Sequence, residues 1–204
     1  MRLKPSGLVR CSSGVARVMA GFACALLAAL AVVQPIAGSD SWAKLQRPLH
    51  LPRLARGARC PVSPVDRRVD WKRIEFPGSP GIGRGPVYPG LGYHRGRLDA
   101  VPDRQYDGRW AGQKVFWYVA SSYPGPVLLR GRRLDGPQLL GFNGRKQPAT
   151  ELRIERDDTV SWQGQPAGSR GIPSGVRARA DGCYGVQIDG TTFSRVVVFN
   201  VEIA

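Results

Sequence analysis

Residues 183–203, CYGVQIDGTTFSRVVVFNVEI, decide the fold class. Tyr184, Val186 and Ile188 share one face of an extended chain, while Cys183, Gly185 and Gln187 share the other. Asp189-Gly190-Thr191-Thr192 supplies turn chemistry, and Phe193 to Ile203, carrying Val196-Val197-Val198-Phe199, reads as the returning strand of a hairpin.

The same grammar extends back to Gly112. Lys114 to Ala120 (KVFWYVA) is apolar for six residues running, which predicts a central strand covered on both faces. Tyr123-Pro124-Gly125-Pro126 is a turn. Val127 to Leu134 and Gln138 to Phe142 read as strands parted by Asp135-Gly136-Pro137, and Asn143-Gly144 closes the second. Leu152 and Ile154 alternate with polar neighbours, Asp157-Asp158 turns the chain, and Thr159 to Trp162 reads as another short strand. In Val176-Arg177-Ala178-Arg179-Ala180 the alternation turns both arginines toward water. Seven or eight strands at intervals of roughly ten residues, without an amphipathic helix between them, predict an all-β, two-sheet antiparallel sandwich over residues 112–204.

The N-terminal half has a different character. Arg2, Lys4, Arg10 and Arg17 precede an uncharged Ala/Leu/Val-rich run from Val18 to Val33, the pattern of an export signal, with small residues placed for cleavage after Ala43. The uncharged stretch 18–39 is also long enough to remain as a membrane anchor if uncut. Residues 1–43 are therefore read as a signal peptide or anchor. Residues 44–70 carry Lys44, Arg47, Arg53, Arg56 and Arg59, with Pro48 and Pro52 and no acid before Asp66, and are read as a basic, extended, partly mobile tether. Residues 71–111, dense in Gly and Pro between Pro77 and Gly96, are read as irregular chain packing on the domain. Gly81-Ile82-Gly83-Arg84-Gly85 is followed by Pro86 and no helix signal, which excludes a dinucleotide loop.

Composition narrows the function classes. The chain has 204 residues with 30 Lys+Arg against 15 Asp+Glu, a formal charge of +15. Without residues 1–43, which hold four bases and Asp40, 26 bases and 14 acids remain, a net +12. Such a field suits an anionic polymer or lipid surface at the cell envelope, whereas a leader directs the chain away from nucleic acid. The excess also has a bland source, because 25 of the 30 bases are Arg, as high-GC codon usage would produce. Cys11 and Cys24 fall in the leader; Cys60 and Cys183 remain, and an even pair in an oxidising compartment predicts a disulfide, with two separate thiols as the alternative. Neither paired ligand spacing nor a cofactor motif occurs, so neither metal nor cofactor is expected.

Two resemblances bear on the fold. Asp181-Gly182-Cys183-Tyr184, entering the penultimate strand, resembles the Asp/Gly turn and Tyr of many immunoglobulin-like bacterial domains, and residues 127–148 resemble the repeat of transcription-factor-type immunoglobulin-like domains. The paired strand cysteines of antibody domains are absent, so their inter-sheet disulfide does not carry over. GCYGVQIDGTTFSRVVVF, ARCPVSPVDR and GPVYPGLG look like segments of uncharacterised exported proteins of high-GC bacteria. That resemblance implies an extracytoplasmic, immunoglobulin-like sandwich and no activity.

The expected role is a non-catalytic binding or docking module, secreted or associated with the envelope. Its partner would be an anionic polymer or lipid surface or an envelope protein, with membrane contact through residues 18–39 if the leader is kept. The candidate contact residues are the basic cluster Arg130, Arg132 and Arg133, together with Arg84, Tyr88, Tyr93, His94 and Trp110 in or near the Gly/Pro-rich loop. Two rivals remain. One is a small envelope hydrolase using His94 with Asp99, Asp103 or Asp107; the other is a structural accessory subunit.

Overall fold

The structure, a computed structural model, describes residues 39–77, 80–91, 96–106 and 108–204. The export-signal run Val18–Val33 and the anchor stretch 18–39 therefore lie outside the described residues, except that Ser39 begins a short helix. That helix, α1 (Ser39–Leu45), spans the expected cleavage point, and Leu45 at its end is fully buried. No helix among the described residues is long and apolar enough to cross a membrane.

Nine strands follow: β1 (Val87–Gly90), β2 (Arg97–Pro102), β3 (Ala111–Val119), β4 (Val127–Arg133), β5 (Gly141–Phe142), β6 (Glu151–Ile154), β7 (Arg170–Ala178), β8 (Gly182–Gly190) and β9 (Ser194–Ile203). They form one sheet in the order β5-β7-β3-β2-β9-β8-β4-β6, with β1 also paired to β3. Every strand pairing is antiparallel except β2 with β9. The ends of this path meet. Phe142 of β5 exchanges backbone hydrogen bonds with Ala149, just ahead of β6, at 2.8 and 2.7 Å, and Arg132 of β4 bridges Leu139, just ahead of β5.

The result is a nearly closed barrel, which corrects the expected two-layer sandwich. The joint is β2: Arg97–Ala100 pair with β9, whereas Val101 and Pro102 pair with β3. Alternation in sequence tells which side of a strand is buried, and both a curled sheet and two stacked sheets satisfy it. The β2 joint lies in the segment read as irregular, so the feature that chooses between them carried no strand signal.

The hairpin reading holds residue by residue. Tyr184, Val186 and Ile188 of β8 and Val197, Phe199 and Val201 of β9 point into the barrel with Val115, Trp117, Val119, Leu129 and Ile154. The run Lys114–Ala120 is covered on both faces, because Phe116 and Tyr118 on its outer side pack against Trp71, Ile74, Phe76, Tyr88 and Trp162. Thr159–Trp162 is not a strand; a single backbone bond, Val160 N to Gly171 O at 2.6 Å, ties it to β7.

Residues 46–63, expected to be a mobile tether, are a strap laid across the outer face of β4, β8 and β9. Gln187 on β8, fully buried, accepts from His50 N at 2.7 Å through its carbonyl and donates to Pro48 O at 3.0 Å through its amide. Leu51 packs with Leu134, Cys183 and Val198. Leu54 N donates to Leu134 O, and Ser63 N donates to Val198 O. The Cys60–Cys183 disulfide is formed, with Cα atoms 5.3 Å apart, and pins the strap to β8. Its 123-residue separation puts the chain-entropy stabilisation near an upper figure of about 5 kcal/mol. Prolines and like charges weaken helix and sheet, but an outer strand face that needs cover can still hold an extended chain.

Candidate functional site: a basic groove on the outer face of β3 and β7

Register places Gly112 opposite Arg177 and Lys114 opposite Gly175 on neighbouring strands. Since Val115, Trp117 and Val176 face inward, these four residues lie on the outer face. Glycine in a strand interior lets something lie close to the backbone. Here it is the Arg177 side chain: a Cβ on Gly112 would stand 2.6 Å from Arg177 Cγ, and one on Gly175 1.9 Å from Arg177 Nη1.

Three contacts fix the guanidinium. Nε donates to Asp103 Oδ2 at 2.9 Å, the guanidinium lies 4.9 Å from the centre of the Tyr106 ring, and Gly175 leaves it room below. The Tyr106 hydroxyl in turn donates to Asn143 O and Gly144 O at 2.9 and 2.8 Å. Asn143 is locked to β7, its Oδ1 accepting from Gly175 N at 2.7 Å and its N donating to Gly175 O at 3.0 Å. Around this lies an open cavity of about 380 Å³, lined among others by Asp103, Lys114, Asn143, Ser174, Gly175 and Arg177.

The groove is rich in donors. Arg177 Nη1 is shielded from solvent and has no acceptor among the described residues. Lys114 is exposed and has no ion-pair partner among the described residues, and the exposed Arg104, Arg145 and Lys146 belong to the segments that carry Tyr106 and Asn143. Among the described lining residues the one carboxylate, Asp103, is committed to Arg177 and to Gln105 N. Trp117 Nε1 occupies the Ser174 hydroxyl, so that oxygen belongs to the core.

The residues singled out by sequence are dispersed. Arg130, Arg132 and Arg133 do not form one free patch, because alternation sends Arg133 to the face opposite the other two. Arg130 donates to the fully buried Asp189 at 2.8 Å and to Arg47 O, and Arg133 pairs with Asp135 at 2.7 Å. Arg132 is half-buried, its Nε shielded and without a partner. Tyr88 is buried; its hydroxyl donates to Asp66 Oδ2 at 2.9 Å, and burial pushes its pKa well above the usual phenol range. Arg84 is exposed, its carbonyl accepting from Arg68. Trp110 is half-buried, with the Arg179 guanidinium 4.4 Å from its ring centre. Arg177, expected simply to face water, lies flat on the sheet with 15% of its side chain exposed.

Tyr93, His94 and Asp107 lie outside the described residues. Of the other acids offered to His94, Asp99 pairs with Arg97 and Asp103 with Arg177. Among the described residues no group of three His, Cys, Asp or Glu side chains could hold a metal ion. The sequence reading did not assemble Asp103, Tyr106, Lys114, Asn143 and Arg177. The signal available was Gly112 and Gly175 within otherwise regular strands. Comparison with protein-family models, with curated proteins and with solved structures gave no match.

Proposed function

We propose that this protein is a non-catalytic extracytoplasmic module that docks on an anionic polymer of the cell envelope through its basic exterior. The observation that carries this reading is how the charges are spent. Asp66, Asp99, Asp103, Asp135, Glu151, Asp189 and Glu202 are each within ion-pair distance of an arginine of the same chain. Arg53, Arg56 and Arg59 on the strap and Lys72, Arg73, Arg84, Arg104, Lys114, Arg145, Lys146 and Arg156 elsewhere are exposed and have no such partner among the described residues. A surplus left at the surface raises the local concentration of an anionic partner and weakens with salt. The Cys60–Cys183 disulfide is compatible with an oxidising compartment outside the cytoplasm.

Retention of the full-length protein on polygalacturonate-coated and on neutral dextran beads tests this. Retention on the acidic beads at low salt, released by raising the salt, is expected. Equal retention on both supports would reject the reading.

A further inference from the structure

We propose that the groove beside Arg177 is a binding site for a single carboxylate group, presented by an acidic ligand that reaches the outer face of β3 and β7. This rests on the reading of the protein as a binder of acidic polymers and refines it from a diffuse field to one stereochemically defined point.

Arg177 is held in place at a cost. A long, flexible cation is held flat by a carboxylate on its Nε, an aromatic ring against its plane and a glycine beneath it. Surface arginines that serve only solubility keep their heads in water. Here Nη1 is withdrawn from solvent and left without an acceptor among the described residues, a state that costs free energy in the unliganded protein. The arrangement is pre-oriented, so a ligand need not immobilise the side chain.

Donor geometry selects the ligand. With Nε taken by Asp103 and Nη1 withdrawn from solvent, Nη2 is the guanidinium nitrogen left for a ligand, and its in-plane N–H suits a carboxylate oxygen. Asn143, fixed through its Oδ1 and backbone N, keeps its amide Nδ2 free of partners among the described residues, and Lys114 lies mid-strand on β3 opposite Gly175. Charge points the same way. Among the described lining residues, Arg177 and Lys114 against Asp103 leave one net positive charge, which suits a monoanion better than a phosphate dianion.

The test is titration of the ¹⁵N-labelled full-length protein with trigalacturonate, with a glutamate-terminated tripeptide and with inorganic phosphate at constant ionic strength. Saturable shifts of the Gly112, Lys114, Asn143 and Gly175 amides by either carboxylate probe support the site, and whichever probe binds more tightly identifies the source of the carboxylate. Phosphate binding as tightly as both carboxylates overturns the assignment, as does the absence of saturable shifts.

Arg177→Gln and Gly175→Ala should each weaken carboxylate binding about tenfold or more, the second without changing charge, because its methyl evicts Nη1. Arg177→Lys should fail to restore the affinity. The same spectra report whether each variant is folded, and unchanged affinity in a folded Arg177→Gln protein would refute the site. Retention on polygalacturonate at low salt should survive Arg177→Gln and fall in the Arg53→Gln, Arg56→Gln, Arg59→Gln triple variant. Absence of retention of the unaltered protein, with groove binding intact, would therefore count against the docking reading alone.

Discussion

Asp66 is 7% exposed and accepts from the Arg68 side chain at 2.9 and 2.6 Å, from Arg68 N at 3.0 Å and from the Tyr88 hydroxyl at 2.9 Å. The Arg68 side-chain hydrogen bond, more than any other cause, holds its carboxyl well below the usual carboxylate range. A depressed folded-state pKa stabilises above the unfolded value of about 3.9, and that contribution is lost as the pH falls below it. Asp66→Asn should therefore lower stability at neutral pH by about 1–3 kcal/mol and flatten the acid limb of a urea-unfolding series run from pH 6 to pH 2 (roughly the window over which unfolded carboxylates titrate). Tyr184 has the opposite sign. Burial pushes its hydroxyl up to about 12, so the fold prefers the neutral phenol and loses stability as the pH rises from about 10 through that value. Tyr184→Phe should reduce that alkaline loss in the same assay, at the cost of the bond to Ala180 O. Asp189 is fully buried between Arg130, Gln187 and Ser194. Truncating it to Ala strands Arg130 without its partner, so the midpoint of unfolding should fall by an amount equivalent to about 3 kcal/mol, the low end for a broken buried pair because Arg130 keeps some solvent. The Asp66–Tyr88 and Arg130–Asp189 contacts had no local sequence signature, because each joins residues from separate segments, whereas Tyr184 bonds a carbonyl only four residues away.

The strap is where the element-scale reading and the structure part most clearly. Its composition argued for an extended, self-repelling chain, and extended it is; what composition lacks is the surface that receives it. That surface was partly legible, because Cys183, Gly185 and Gln187 were assigned to the face opposite the apolar one. Gly185 leaves space where Leu51 and Leu134 converge, and Gln187 holds the strap backbone by both ends of its amide. A disulfide from Cys60 to that face already required the segment to come close. The Cys60→Ser, Cys183→Ser double variant should lose up to about 4–5 kcal/mol and be cut faster by trypsin at Arg53, Arg56 and Arg59, exposed side chains on a strap whose backbone the disulfide holds to the barrel, while the barrel strands resist cleavage. Cleavage at equal rates before and after would contradict the strap's anchoring. The groove was less legible still. Arg177 was rightly put on the outer side of β7, but its partners Asp103, Tyr106 and Asn143 come from a 3₁₀ turn and two loop ends, where periodicity has nothing to say.

For the molecule as a whole, alternation fixed which residues are inside and left open how the sheet closes. The parallel contact between β2 and β9 joins a weakly patterned segment to the C-terminal hairpin and makes one curled sheet. Curling sends every inward side chain into one core and every outward one to a shared exterior, part of which the strap and the Trp71–Phe76 segment cover. Among the described residues seven acids are drawn into pairs; the exposed bases outnumber Asp70, Glu75, Glu155, Asp157, Asp158 and Asp181, the exposed acids that are not, so that exterior is left cationic. Its affinity for an anionic partner must then depend on screening, since the Debye length shrinks from about 10 Å at 0.1 M salt to about 3 Å at 1 M. The most direct test is the dissociation constant of the full-length protein for soluble polygalacturonate, measured by calorimetry across that salt range. A steep, continuous rise of the constant with salt is the expected result; a constant that does not change with salt would contradict a docking surface made of charge.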